Sequence, residues 1–156
     1  MLEKTNVMRI LDQKKVKYIP HAYEAQEAAS GTQVADILGL DPERTFKTLV
    51  TVGKSGAHYC FVVPVKNELD LKKAACVVGE KSIEMIKSKE LLPLTGYIHG
   101  GCSPIGMKKF FRTTFHQSAQ NFDTVIFSGG KIGRHVELSL DDLSKVIRFS
   151  LADIVS

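Results

Sequence analysis

The chain has 156 residues, 44% of them hydrophobic and 24% charged, with a mean hydropathy of -0.03. That composition excludes disordered and collagen-like chains, and residues 1–156 are expected to form one domain that buries roughly 70% of its unfolded surface. Lys+Arg number 21 and Asp+Glu 17, a formal net charge of +4, which leans toward a polyanionic partner without demanding one.

No apolar run approaches the roughly 18 residues that a membrane span needs, and the first six residues lack a secretory apolar core. A cytoplasmic protein is expected. Cys60, Cys76 and Cys102 are odd in number and lack C-x-x-C spacing, which predicts free thiols rather than a disulfide framework or a zinc ribbon. Histidines at 21, 58, 99, 116 and 135 are too dispersed for a metal cluster, and no metal or cofactor is expected.

Thr5 and Asn6 precede Val7, Ile10 and Leu11, the i, i+3, i+4 signature of a short capped helix. The segment 18–23 reads as extended, and Pro20 confines it to an edge or irregular strand. Thr32 opens a second helix carrying Val34, Ile37 and Leu38 and ending at Gly39. Residues 45–52 and 57–63 form a hairpin around the turn Gly53-Lys54-Ser55-Gly56. Asp70 caps a helix through Leu71, Ala74 and Ala75; residues 81–94 read as strand then helix. Tyr97-Ile98-His99, Thr113-Thr114-Phe115, Val125-Ile126-Phe127 and His135-Val136-Glu137-Leu138 are short strand candidates, and Ser139 with Asp142 caps a last helix. Short strands with interspersed helices, lacking strict βαβ alternation, predict an α/β (mixed α+β) fold: a curved mixed β-sheet or partly closed barrel flanked by helices.

Alternation places Lys47 on one strand face with Leu49 and Thr51, opposite Phe46, Thr48 and Val50, and both faces carry apolar residues. Such a lysine either snorkels from an edge strand or holds a fixed positive charge in a cleft. Gly100-Gly101-Cys102-Ser103-Pro104-Ile105-Gly106 specifies backbone shape: a structural turn, or a bend whose amides face a ligand oxygen. Gly129-Gly130-Lys131-Ile132-Gly133 lacks P-loop spacing and reads as a plain turn. His99 three residues before Cys102 raises a thiol hydrolase as an alternative, but no orienting partner for the imidazole is evident and packing is the commoner role of such a cysteine.

Taken in order, Phe46-Lys47-Thr48-Leu49-Val50, the 100–106 loop and Ser128-Gly129-Gly130-Lys131 resemble the YbaK family, relatives of the editing domain of bacterial prolyl-tRNA synthetases. Tyr23 in its His-x-Tyr-Glu segment, Leu69-Asp70-Leu71-Lys72-Lys73 and Val136-Glu137-Leu138 fall in the matching order. The resemblance implies a trans-editing deacylase that removes cysteine from Cys-tRNA(Pro), with prolyl-tRNA synthetase as partner and neither DNA nor membrane involved. It implies Lys47 as the residue tied to activity. Substrate contacts carry over to Tyr23, Phe46, Thr48, the loop residues Gly100, Gly101, Cys102, Ser103, Pro104 and Ile105, and to Ser128 and Gly129. Many relatives carry an acidic residue where this chain has His135, and an aromatic near Ser30, where none stands here. The implied chemistry needs no enzyme nucleophile, because the substrate's thiol attacks its own ester. A deacylase for another amino acid, such as alanine, acting through water, and a non-catalytic module that binds aminoacyl-RNA or anions, are the alternatives.

Overall fold

The computed structural model describes residues 4–23, 35–36 and 38–156. Within them the elements run α1 (Asn6–Gln13), β1 (Ile19–Ala22), β2 (Phe46–Gly53), β3 (His58–Pro64), α2 (Leu71–Val78), β4 (Ile83–Met85), α3 (Ser88–Thr95), β5 (Arg112–His116), a 3-10 turn (Gln117–Asn121), β6 (Val125–Lys131), β7 (Arg134–Leu138), α4 (Leu140–Leu143) and β8 (Ser150–Ala152). Side-chain caps start three of the helices. Thr5 Oγ1 accepts from Met8 N at 3.2 Å, Asp70 Oδ1 accepts from Lys72 N and Lys73 N at 3.0 Å each, and Ser139 Oγ accepts from Asp142 N at 3.1 Å. Each satisfies amides that the first helical turn leaves unpaired.

The strands form two sheets, ordered β1-β7-β6 and β4-β2-β3-β5-β8. In the larger one β5 runs parallel to both β3 and β8, while the other pairs are antiparallel, so the sheet is mixed. Neither sheet closes on itself; they meet where Thr45 bridges Ile126 in parallel and Ile126 N donates to Arg44 O at 3.0 Å. The main core lies on one side of this junction. There Val7, Met8 and Leu11 of α1 pack with Phe46, Val62, Phe115, Phe127, Val136 and Leu138. On the other face of β2 and β3, Ala74 and Ala75 of α2 cover Phe61, Val63 and Ile83. Burial on both faces explains why β2 and β3 lack clean apolar–polar alternation.

Two local features differ from the sequence expectations. Tyr97-Ile98-His99 is not a strand: Gly96, at φ 84°, ends α3, and the Tyr97 hydroxyl donates to Ile105 O, which draws the chain straight into the next loop. The expected strand then helix of residues 81–94 is present as β4 and α3, and Pro93 lies inside that helix. The three-residue β8 was not anticipated, because its only strand partner is the distant β5. Thr32, Val34 and Ile37 of the expected second helix lie outside the described residues, as does Ser30; the residue expected to end that helix, Gly39, is left-handed at φ 66°. The Asp70 cap carries the first prediction: Asp70→Ala lowers stability by about 1 kcal/mol, read as a lower urea midpoint at unchanged m-value.

Candidate active site

Strand register decides which side chains share a face. Thr45 opposes Ile126 in the isolated bridge between the sheets, so two residues further along each chain segment Lys47 and Ser128 project to the same side as that bridge. Ser128 opposes His135, and His135 opposes His21. Lys47, Ser128, His135 and His21 therefore form one row across β2, β6, β7 and β1. Tyr23 follows His21 on the same face: its N–H donates to Gly133 O at 3.0 Å and its ring centroid lies 6.4 Å from that of His135.

The ammonium of Lys47 has one ion-pair partner among the described residues, Glu68 Oε1 at 3.6 Å, and that carboxylate's side chain is 87% exposed. A pair so solvated contributes little and does not lock the side chain. Ser128 is buried, and its Oγ accepts from Gly130 N at 3.1 Å across the irregularity in the β6–β7 register. Gly129 sits within that irregularity, where a Cβ would stand 3.3 Å from Arg134 O.

The 100–106 loop abuts the tip of the same hairpin. A Cβ on Gly101 would lie 3.3 Å from the Lys131 Cα and the Ile132 nitrogen, so a side chain there would force the two backbones a few tenths of an ångström apart. Most of the loop's side chains face away from the row. Cys102 and Ile105 pack in the main core, and Ser103, fully buried, accepts from Ile105 N at 3.3 Å; Pro104 is buried too. The Gly101 N–H donates to Ile98 O at 3.0 Å and closes the turn, while Gly100 holds φ 88°. Phe46 packs in the core, and Thr48, on the same face, has a buried Oγ1 without a hydrogen-bond partner among the described residues. The register thus gathers Lys47, Ser128 and Tyr23, with Gly101 at the hairpin tip, and turns the side chains of Phe46, Thr48, Cys102 and Ile105 elsewhere.

His135 is the residue whose place the sequence left undefined. It is 7% exposed, its Nδ1 is buried without a partner among the described residues, and burial, reinforced by His21 beside it, pushes the imidazole down to about 4. The row thus carries a neutral ring nitrogen with unused hydrogen-bonding capacity. One register step away, Glu137 Oε1 lies 2.8 Å from His21 Nε2, and Glu137 Oε2 accepts from Thr124 Oγ1 at 2.6 Å with Arg44 at 3.4 Å. Burial opposes its ionisation, but Thr124, His21 and Arg44 together hold the carboxyl below its usual range.

The cysteine-nucleophile alternative fits poorly. Burial pushes the Cys102 thiol up to about 12, the opposite of the shift a thiolate nucleophile needs, and His99 is exposed in a turn while Cys102 faces the core. Burial also raises Cys60, with Cys102 beside it adding to the effect.

Because His135 protonates less readily in the folded chain than in the unfolded one, the unfolded state takes up more protons as pH falls below about 6.5. Stability is full above that value and declines toward pH 4, by about 3 kcal/mol if the whole shift to about 4 is expressed. His116, lowered by its own burial, contributes in the same direction. Urea titrations between pH 7 and 4 should show that decline in the native chain and a clearly flatter profile in His135→Asn; parallel profiles would remove His135 as its source.

A family model described as an aminoacyl-tRNA editing domain matches residues 25–146. EbsC of Enterococcus faecalis, named by inference as a Cys-tRNA(Pro)/Cys-tRNA(Cys) deacylase, is 42% identical over 155 residues, covering 99% of this chain and 94% of that protein. A 76-residue stretch, 49% of this chain, is 34% identical to proline–tRNA ligase of Pelobacter propionicus, of which it covers 13%. Among solved structures, one described as a candidate trans-editing enzyme for prolyl tRNA synthetase superposes with a TM-score of 0.82 at 24% identity, covering 99% of both chains. A hypothetical protein superposes at 0.86 with 20% identity, covering 97% of this chain and 100% of that one. The full-length likeness and the matching fold settle the kinship: the chain belongs to the aminoacyl-tRNA editing domain family.

Proposed function

We propose that this editing domain acts in trans as a deacylase that removes cysteine from Cys-tRNA(Pro), with Cys-tRNA(Cys) as a further substrate. The deacylase class follows the family; the amino acid follows the name of the full-length relative EbsC. The observation that carries the reading is the row of Lys47, Ser128 and His135 on one sheet face, with the glycine bend against the tip of the same hairpin.

The reaction begins inside the substrate. Its thiol loses a proton to water, the sulfur attacks the ester carbonyl, and the C–O bond to the tRNA 3′ oxygen breaks as that oxygen takes a proton. The cyclic thioester so released is opened by water to give free cysteine. Lys47 supplies a positive charge that favours the substrate thiolate, and a thiol of ordinary pKa about 8.5 ionises near neutrality far more readily than the hydroxyl of serine. Selection is then partly chemical. Since the Gly101 amide is used within its turn, the amide of Cys102 is assigned to the developing oxyanion; losing one such donor costs about 3 kcal/mol of barrier. His135 Nδ1, without a partner, and the Tyr23 ring beside it border the aminoacyl group. Selection of the tRNA is assigned to prolyl-tRNA synthetase.

The test compares cysteinyl-tRNA with the same RNA esterified to an isosteric amino acid lacking the thiol. Deacylation is expected for the first and near-background rates for the second; equal rates would point to attack by water, as in an alanine-clearing enzyme, and binding without turnover would point to a non-catalytic module. Lys47→Ala should lower kcat by about a hundredfold, and an unchanged rate would remove the ammonium from the mechanism. Cys102→Ala should keep most activity, whereas its complete loss would restore the thiol-nucleophile route.

A further inference from the structure

Apart from that site, a hollow of about 390 Å³ opens where β5 and β8 begin, lined by Phe110, Arg112, Thr113, Arg148, Phe149 and Ser150. Its chemistry is aromatic and cationic, and none of the six is acidic. Two larger hollows differ: one of about 700 Å³ includes Asp12, Glu137 and Asp142 with Lys17, and one of about 470 Å³ includes Asp123 and Asp141, so each brings carboxylates against a polyanion. Among the described residues neither guanidinium of the smaller hollow is held in an ion pair; Arg112 donates to Val77 O at 3.3 Å, which steadies it without neutralising its charge.

The aromatic pair is built for contact. Phe149 packs on the core ring of Phe115, with centroids 5.2 Å apart, and provides a fixed floor. Phe111 turns to His58, with centroids 5.6 Å apart, while its neighbour Phe110 stands 58% exposed at the rim. An exposed ring between two unpaired cations suits stacked bases on a phosphate backbone. Arg112 opposes Tyr59 and Lys47 opposes Val63, so Arg112 and the lysine are separated by roughly 13 Å along β3 and about two strand spacings across, while Phe149 packs on Phe115 on the opposite face of that sheet.

We propose that this hollow docks single-stranded RNA, namely the unpaired acceptor end of the substrate tRNA, with Phe110 stacked on a base and Arg112 and Arg148 against phosphates. Naming tRNA as the RNA rests on the deacylase reading; the docking chemistry does not. The surface would provide affinity without sequence readout, in keeping with a chain of net charge only +4.

The experiment pairs full-length cysteinyl-tRNA with a minimal cysteinyl ester of adenosine, using Phe110→Ala, Arg112→Gln and Arg148→Gln, and adds equilibrium binding of uncharged tRNA. Phe110→Ala should raise KM for the tRNA about tenfold, each arginine variant should flatten the log–log salt dependence of tRNA binding by about 0.7, and turnover of the minimal ester should stay unchanged. Unaltered tRNA binding in all three variants, or equal losses on both esters, would overturn the proposal. Variants that bind naked tRNA normally but lose stimulation by prolyl-tRNA synthetase would overturn it too, assigning the hollow to a protein. If the native chain binds tRNA through these residues yet releases no cysteine, the docking site stands and the deacylase reading falls.

Discussion

The parallel bridge between Thr45 and Ile126 is the contact on which the candidate site depends. Among the described residues it is the one bridge joining the two sheets, and it sets the register that turns Lys47 to the same side as Ser128 and, through β7, in line with His135. A slip of one residue would turn Lys47 into the core and present Phe46 in its place. The structure reinforces this junction with polar contacts that reach all four strands. Arg44 precedes β2 and Thr124 precedes β6; both meet Glu137 on β7, which also binds His21 on β1. A partly buried carboxylate of this kind adds little net stability after desolvation. Its geometric demand, that three chain segments bring their donors together on the carboxylate of a fourth, penalises the slipped alternatives.

That arrangement also shapes the field on the face. Glu137 is occupied by three partners, and His135 is held neutral by burial. Lys47 has one solvated carboxylate, Glu68, near it. The row therefore presents one cation and one uncharged nitrogen, which in the proposed mechanism favours an anionic sulfur over a neutral hydroxyl. On the proposed mechanism, selectivity for a thiol then follows from charge, beyond whatever size exclusion provides.

Features specified by neighbouring residues were legible in the sequence. The caps Thr5, Asp70 and Ser139 each act within three residues, and the β2–β3 hairpin is closed by its own turn, where Gly53 N donates to Ala57 O. The alternation that sends Phe46 and Thr48 away from Lys47 was equally readable. Features specified across the chain were not. Tyr97-Ile98-His99 has strand-forming residues, but the Tyr97 hydroxyl is captured eight residues on by Ile105; β8 exists through a parallel pairing with β5 more than thirty residues earlier. His135 could be noted as unusual for its position, yet that its Nδ1 is orphaned follows only from burial between Ser128, His21 and Tyr23.

The 100–106 loop shows why its glycines and its apolar residues belong to one device. Cys102 and Ile105 anchor the loop from inside the core, and the Tyr97 hydroxyl ties down Ile105 O from behind. Gly106, at φ 79°, has room for no Cβ beside that same hydroxyl, which lies 2.9 Å from where one would stand. Anchored in this way, the loop is buried from Gly101 to Ile105 and exposed at its two ends, Gly100 and Gly106, and Gly101 meets the Lys131–Ile132 turn. The position of the bend is therefore set by packing beneath it, and a core substitution that shifts Ile105 would move the bend without touching any residue on the row.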